Sequence, residues 1–221
     1  DVTGQTINIQ GLGVSNAGAL TYGTGPSSLS GNVTLNLADP NVETSLGALS
    51  NTTLTIDSQI TGGGTSATLT LAGSGGDGTV VVSNNTNNYT ANLNIGAGQT
   101  LEASGQDAAD LDGVFGDTAN TVTFDGGTLR FDTADDLEHT STRSLIIDNG
   151  GATIDTADDV QIDMAITEPT SVTGNLTKVG AAKLTLNASN TYTGTTTVSD
   201  GTLELAQSEV LDDSSDVDVA N

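Results

Sequence analysis

A duplicated phrase in the middle of the chain constrains its fold more than any other feature. Residues 131–138 read FDTADDLE and residues 154–161 read IDTADDVQ. When the two phrases and the residues before them are aligned without a gap, apolar residues meet apolar residues and turn residues meet turn residues, with Phe131 over Ile154. Self-similarity at a spacing of about 20–25 residues predicts that one coil of a β-solenoid lies directly above the next.

Short runs of alternating apolar and polar residues occur along the whole chain. This period-two alternation is typical of β-strands that bury one face, and the Gly, Asn and Asp clusters between the runs supply turns. The runs are TINI (6–9), VTLNL (33–37), TLTID (53–57), ATLTL (67–71), TVTF (121–124), TLRF (128–131), KLTL (183–186) and TLEL (202–205). No long stretch shows a helical period, so the chain is predicted to be all-β.

Repeat and alternation together predict one continuous parallel β-solenoid over residues 1–221. At about 20–25 residues per coil, we expect about nine or ten coils and a length of roughly 45 Å at the spacing of neighbouring strands. Ladders of Leu, Val and Ile are expected to fill the interior. The predicted interior residues are Val33, Leu35, Leu54, Ile56, Leu69, Leu71, Val122, Phe124, Leu129, Phe131, Ile147, Ile154, Leu184, Leu186, Leu203 and Leu205.

The charge of the chain excludes two classes of partner. There are 4 Lys+Arg against 28 Asp+Glu, which gives a formal net charge of −24. Binding to nucleic acid or to an anionic membrane surface needs a basic patch, so neither is expected. The chain has no cysteine, which excludes a disulfide framework. No apolar run is long enough to insert into a membrane.

Stacked carboxylates are the first candidate site. The ungapped alignment puts three aspartates of one coil beneath three of the next: Asp132, Asp135, Asp136, Asp155, Asp158 and Asp159. At the strand spacing of about 4.8 Å, two unit charges repel by roughly 0.9 kcal/mol in water. We interpret them as solvated turn residues that bond nearby backbone amides. Calcium held between the coils is the alternative. A catalytic carboxylate pair is disfavoured, because nothing indicates a cleft.

The remaining motifs favour ordinary surface loops. Residues 106–117 hold several aspartates but lack the glutamate that closes a calcium loop, and the glycine–aspartate phrase at 73–81 occurs only once. His139 is the only histidine and there is no cysteine, so neither a common zinc site nor a histidine-activated nucleophile is expected. The triplet Thr195–Thr197 is not repeated at 92–94, which argues against an ice-binding threonine array.

Residues 175–205, NLTKVGAAKLTLNASNTYTGTTTVSDGTLEL, carry a longer spaced pattern. It resembles the passenger-associated strand repeat of bacterial autotransporters, with its Leu-Thr-Lys-x-Gly opening, Leu-Thr-Leu strand, Asn-Thr-Tyr-x-Gly corner, Thr-Thr-Val strand and Gly-Thr-Leu-x-Leu ending. The matching residues are Leu176, Thr177, Lys178, Gly180, Leu184, Leu186, Asn190, Tyr192, Gly194, Thr197, Val198, Gly201, Leu203 and Leu205. Ala182 stands where a second Gly is usual. The flanking phrases are similar to the same family in a weaker form.

The resemblance implies a right-handed parallel β-helix that is displayed on, or released from, the surface of a Gram-negative-type bacterium. The implied function is a non-catalytic extracellular stalk or adhesin scaffold without a cofactor. Its expected partners are neighbouring coils, other copies of itself, surface glycans or other cells. One alternative is a filament subunit that stacks end to end. A β-helical polysaccharide lyase or hydrolase is disfavoured, because only 4 Lys+Arg are available to engage an acidic sugar.

Overall fold

The computed structural model describes residues 5–13, 18–22, 27–29, 34–73, 75–104, 113–132, 143–207, 210–211 and 216–220. Nearly all regular secondary structure in these ranges is β-strand. The strands are β1 (Thr6–Ile9), β2 (Leu20–Tyr22), β3 (Ser27–Leu29), β4 (Thr34–Leu37), β5 (Glu43–Ala48), β6 (Thr53–Ile56), β7 (Gln59–Leu71), β8 (Thr79–Val82), β9 (Thr90–Gly96), β10 (Thr100–Ala103), β11 (Val122–Asp125), β12 (Thr128–Phe131), β13 (Leu145–Ile147), β14 (Ala152–Thr156), β15 (Val160–Ile162), β16 (Ile166–Thr167), β17 (Leu176–Val179), β18 (Lys183–Leu186), β19 (Thr196–Val198), β20 (Thr202–Leu205) and β21 (Val217–Val219).

Parallel pairing assembles these strands into three sheets. Across the described residues, the first sheet runs β1-β4-β7-β9-β11-β13-β16, with β2 and β5 paired off this path. The second sheet runs β3-β6-β8-β10-β12-β14-β17-β19-β21, and the third runs β15-β18-β20. Neighbours within a sheet come from successive passes of the chain and are parallel, as in the pairs β6–β8, β12–β14 and β18–β20. This arrangement is a parallel β-solenoid, as the sequence predicted.

The solenoid repeats about every 25 residues. Nine or ten coils were predicted, and nine successive passes of the chain each place one described strand in the second sheet. At about 4.8 Å between neighbouring strands, these nine strands span roughly 38 Å. The right-handed winding stays a prediction.

Alternating side chains build the core. In β6, Leu54 and Ile56 are buried, whereas the intervening threonines are half-buried on the outside. Among the predicted interior residues, those found buried are Leu35, Leu54, Ile56, Leu69, Leu71, Val122, Phe124, Leu129, Phe131, Ile147, Ile154, Leu184 and Leu186. Val33 lies outside the described residues, and Leu203 is only partly buried. Leu205 is 43% exposed, so its assignment to the interior was wrong, since no described strand lies beyond β20.

The ungapped alignment gives the correct register on one face of the solenoid and an incorrect register on the next. In the first sheet, Val122 lies beside Leu145, as predicted. In the second sheet Leu129 lies beside Ile154, so the predicted pairing of Phe131 with Ile154 is wrong. The turn after β13 is longer than the turn after β11, and it shifts the next strand by two residues. An even shift keeps each side chain on its predicted face, which is why Phe131 is still buried.

Candidate functional site

An acidic cluster on the outer face of the second sheet holds one arginine among three carboxylates. Strand pairing places Arg130 between Glu102 on β10 and Asp155 on β14. The Arg130 Nε lies 3.8 Å from Glu102 Oε2 and 3.9 Å from Asp155 Oδ2, and its Nη2 lies 3.4 Å from Asp132 Oδ1. A cation therefore separates the carboxylates of successive turns, which lowers the repulsion between them.

The observed register separates the predicted aspartate pairs. Arg130, not Asp132, lies beside Asp155, so the direct stacking of these two aspartates was a wrong prediction. Asp158 is half-buried. The Asp159 Oδ1 accepts the backbone N–H of Lys183 at 2.9 Å, in the next pass of the chain. This hydrogen bond links two passes, whereas the predicted bond of a turn aspartate is to an amide of its own turn.

Other predicted site residues fall outside the described residues: Asp135, Asp136, His139 and most of the 106–117 loop. Near the end of that loop, Asp117 Oδ1 accepts the backbone N–H of Ala119 at 2.9 Å, as in an ordinary Asx turn. Within the ranges that the structure describes, no group of three or more His, Cys, Asp or Glu side chains could hold a metal ion. The calcium site between the aspartate corners stays a prediction.

In the acidic cluster, the carboxyl group of Glu102 has a raised pKa. Burial is the main cause of its raised pKa; Asp132 raises the pKa further, Arg130 opposes the shift, and Asp155 adds to it. The Glu102 side chain is 16% exposed. A raised carboxyl pKa is also a property of general acids, but this group lies on an outward strand position against an arginine. That geometry is typical of a structural ion pair.

A column of threonines runs along the outer face of the same sheet. Strand pairing sets one half-buried threonine beside the next through successive strands: Thr53, Thr79, Thr100, Thr128, Thr153, Thr177 and Thr197. The triplet Thr195–Thr197 is not repeated in the neighbouring strand, where Leu176 lies beside Thr196, and only Thr197 belongs to the column. The flank presents a line of hydroxyl groups about 4.8 Å apart.

Lys178 lies in the interior of the solenoid. Its side chain is 0% exposed, and its Nζ donates to the backbone oxygens of Val179 at 2.8 Å, Gly180 at 2.7 Å and Asp200 at 3.1 Å. Burial is the main cause of its lowered pKa, against the opposing effects of Asp200 and Asp155. The sequence analysis did not assign Lys178 to the interior. The alternation of Leu-Thr-Lys-Val could have indicated it, because Lys178 is two residues from the buried Leu176.

Arg143 is buried as well, and no sequence pattern indicated it. Its Nη1 donates to the backbone oxygens of Phe115 and Asn120, both at 3.2 Å, and its Nη2 donates to that of Gly116 at 3.3 Å. The guanidinium also lies over the Phe115 ring, 5.6 Å from the centroid. Two of the chain's four cations are thus used inside the fold rather than on a surface that could bind an acidic ligand.

The last strands of the second and third sheets carry exposed apolar side chains. Leu205 on β20 is 43% exposed, and Val217 and Val219 on β21 are 47% and 68% exposed. Among the described strands, none pairs with the outer edge of β20 or β21. Edges of this kind can accept a further parallel strand.

Residues 176–205 match the family model of the Passenger-associated-transport-repeat. The resemblance found in the sequence is therefore confirmed for this segment, which covers β17 to β20. A repeat of autotransporter passengers implies a secreted or surface location in Gram-negative bacteria, and no catalytic family was identified. No curated protein and no solved structure matches the chain. In the part of the chain that the structure describes, no helix is long and apolar enough to cross a membrane.

Proposed function

We propose that the chain is a non-catalytic extracellular scaffold, a β-helical stalk or adhesin region at the surface of a Gram-negative-type bacterium. The observation that carries this proposal is the second sheet, in which nine described strands stack in parallel along one axis. Each turn of such a solenoid is supported by its neighbours, so the rod can hold other parts of a protein away from the cell. The passenger-associated repeat at 176–205 supports the surface location.

The flank of the second sheet supports the adhesin role. Its outer face combines the threonine column with the acidic cluster around Arg130. Hydroxyls and carboxylates are groups that hydrogen-bond to sugars, and the net charge of −24 keeps an exposed rod soluble. Surface glycans of neighbouring cells are therefore the partner class that this flank fits.

Antibody labelling of the bacterium that produces the chain tests the surface location. Antibodies raised against the folded chain should label intact cells, and external protease should remove the label. A cytoplasmic protein serves as the control, since it should be labelled only after permeabilisation. Labelling of the chain only after permeabilisation would contradict the proposal.

End-to-end assembly is the second candidate function, and the exposed apolar residues of β20 and β21 favour it. A second copy whose first strands cover Leu205, Val217 and Val219 would continue the sheets. Analytical ultracentrifugation over a range of concentrations should then show growing species, and Val219→Lys should abolish them. A single monomeric species at every concentration would contradict this candidate and leave the scaffold intact.

An assay with acidic polysaccharides separates the scaffold from an enzyme. The scaffold predicts that the purified chain releases no unsaturated or reducing ends, with and without calcium. Product that increases in proportion to the amount of chain, and that is lost in Glu102→Gln, would contradict a non-catalytic role. Arg130→Gln serves as the matched control, because it disturbs the same cluster without removing a carboxyl group.

A further inference from the structure

We infer that residues 69–103 form a second, diverged copy of the unit matched at 176–205. Both segments contain two strands, an Asn-x-Tyr-Thr corner, a third strand, a glycine turn and a fourth strand that begins Thr-Leu-Glu. The corner is NNYT at 87–90 in one segment and NTYT at 190–193 in the other. The inference needs no ligand and does not depend on where the protein is displayed.

Strand pairing is the same within the two segments. The first strand of each pairs with the third, as β7 with β9 and β17 with β19, and the second pairs with the fourth, as β8 with β10 and β18 with β20. The pairs join inward-facing residues of corresponding strands, although the connections between these strands differ in length in the two segments. The corresponding pairs are Leu69–Leu93 with Leu176–Thr196, and Val80–Leu101 with Leu184–Leu203.

The asparagine of each corner joins its own turn to the previous one in the same way. Asn87 Oδ1 accepts the backbone N–H of Ile60 at 2.7 Å, and Asn190 Oδ1 accepts that of Ile166 at 2.8 Å. The residue after each asparagine donates its backbone N–H to the carbonyl of the same isoleucine, at 3.1 and 2.9 Å. The backbone N–H and C=O of each isoleucine are thus both hydrogen-bonded by the next turn, which fixes the register between the turns.

The tyrosines and the glycines of the two corners also correspond, whereas the amide nitrogens differ. The Nδ2 of Asn87 donates to the backbone oxygen of Asn84, three residues earlier, at 2.6 Å, and the Nδ2 of Asn190 donates to that of Ala188, two residues earlier, at 3.2 Å. The two tyrosines, two residues further along, are 1% and 0% exposed. The glycines before the fourth strands have φ of 72° and 70°, a left-handed conformation that favours glycine.

The copies lie on different faces of the solenoid. The strands of 69–103 belong to the first and second sheets, whereas those of 176–205 belong to the second and third sheets. Their connections also differ in length, and Leu71 stands where the matched copy has the buried Lys178. These differences explain why 69–103 lacks the spaced lysine–glycine opening of the family. What is repeated is therefore the unit of four strands with its asparagine–tyrosine corner, and the two copies of this unit lie in different pairs of sheets.

A graft in the full chain tests the equivalence. Replacing 69–103 by a second copy of the sequence 176–205 keeps inward residues inward, and the three carbonyls bound by Lys178 travel with the graft. The control carries 177–206 instead, since a shift of one residue turns every inward side chain outward. We expect the graft to keep a β-type circular dichroism spectrum and cooperative unfolding, and the control to lose both. A graft no more stable than the control would overturn the inference.

Hydrogen exchange provides a second readout that does not require the graft to fold. Asn87→Ala should speed exchange of the Ile60 amide, and Asn190→Ala that of the Ile166 amide, each by about tenfold or more because a buried donor loses its acceptor. Asn36→Ala is the matched control, since its amide bonds only other side chains. An Asn87→Ala effect no larger than that of the control, beside a full Asn190→Ala effect, would overturn the equivalence of the corners.

Discussion

Replacement of Lys178 by methionine tests how a buried cation holds two turns together. Methionine keeps most of the side-chain volume but removes the ammonium group that bonds the carbonyls of Val179, Gly180 and Asp200. Two of these acceptors follow Lys178 directly, and the third lies in the next pass of the chain. The substitution therefore leaves carbonyls at one corner of the solenoid without their donor.

The stability that Lys178→Met is expected to lose is the difference between two opposing free-energy contributions. Three hydrogen bonds from a charged donor contribute about 1.5–3 kcal/mol each, whereas burial of the ammonium group costs several kcal/mol. We expect Lys178→Met to lower the free energy of unfolding by about 2–4 kcal/mol. For a chain of this size, each kcal/mol shifts the melting temperature by about 2–4 °C, so the melting temperature should fall by about 4–16 °C.

Urea unfolding at several pH values gives the assay. Lys183→Met is the control, because the exposed Lys183–Glu204 pair, 2.7 Å apart, should contribute less than about 1 kcal/mol. The lowered pKa of Lys178 means that the folded chain releases this proton before the unfolded chain does. Stability of the wild type should thus rise with pH between the folded pKa and the ordinary value of 10.5, and Lys178→Met should lack that rise. A Lys178→Met chain as stable as the wild type at neutral pH would refute the reasoning.

Three further substitutions test other parts of the fold. Glu102→Gln should stabilise the chain at neutral pH by up to about 1 kcal/mol. This gain should vanish below the ordinary pKa of 4.5, because the folded carboxyl takes up its proton first as the pH falls; a loss of stability at neutral pH in urea titrations would contradict it. Leu129→Ala should cost about 2–5 kcal/mol by calorimetry, since Leu129 is fully buried, and a cost equal to that of Thr128→Ala would count against the core assignment. Arg143→Met should lower the free energy of unfolding by about 3 kcal/mol, because the carbonyls that Arg143 bonds are left without a donor. Hydrogen exchange should become faster only in residues 113–122. Unchanged exchange in these residues would contradict the bonding role of Arg143.

Local patterning predicted the strands and their buried faces well. The alternation that put Leu54, Ile56 and Phe131 inside is a property of the strand itself and needs no knowledge of its neighbours. The same alternation would place Lys178 inward, but the sequence analysis did not predict it. The three carbonyls that accommodate its ammonium group come from two passes of the chain and are brought together only by the fold. The passenger-associated repeat was recognised because its spacing is local as well.

Register between turns could not be predicted from the sequence, because it depends on the length of every turn. Two additional residues after β13 were enough to place Arg130, instead of Asp132, beside Asp155. That shift converts a predicted pair of repelling carboxylates into an ion-paired cluster. It also aligns Thr128 with Thr153, a step of the threonine column that no single segment reveals. The threonine column and the acidic cluster therefore form only when the turns stack in the observed register. The sequence shows the residues but not which of them are neighbours.

Engineered disulfides test the in-register stack most directly, because the chain has no cysteine of its own. The structure places Thr128 beside Thr153, at a Cα separation of about 4.8 Å that lies within the range a disulfide can span. The ungapped sequence alignment instead places Arg130 beside Thr153, a pair about 7–8 Å apart in the observed register and too far for a disulfide. We predict that mild oxidation cross-links the double variant Thr128→Cys with Thr153→Cys, and leaves Arg130→Cys with Thr153→Cys reduced. Cross-linking of the second pair but not the first, or of neither, would contradict the stack.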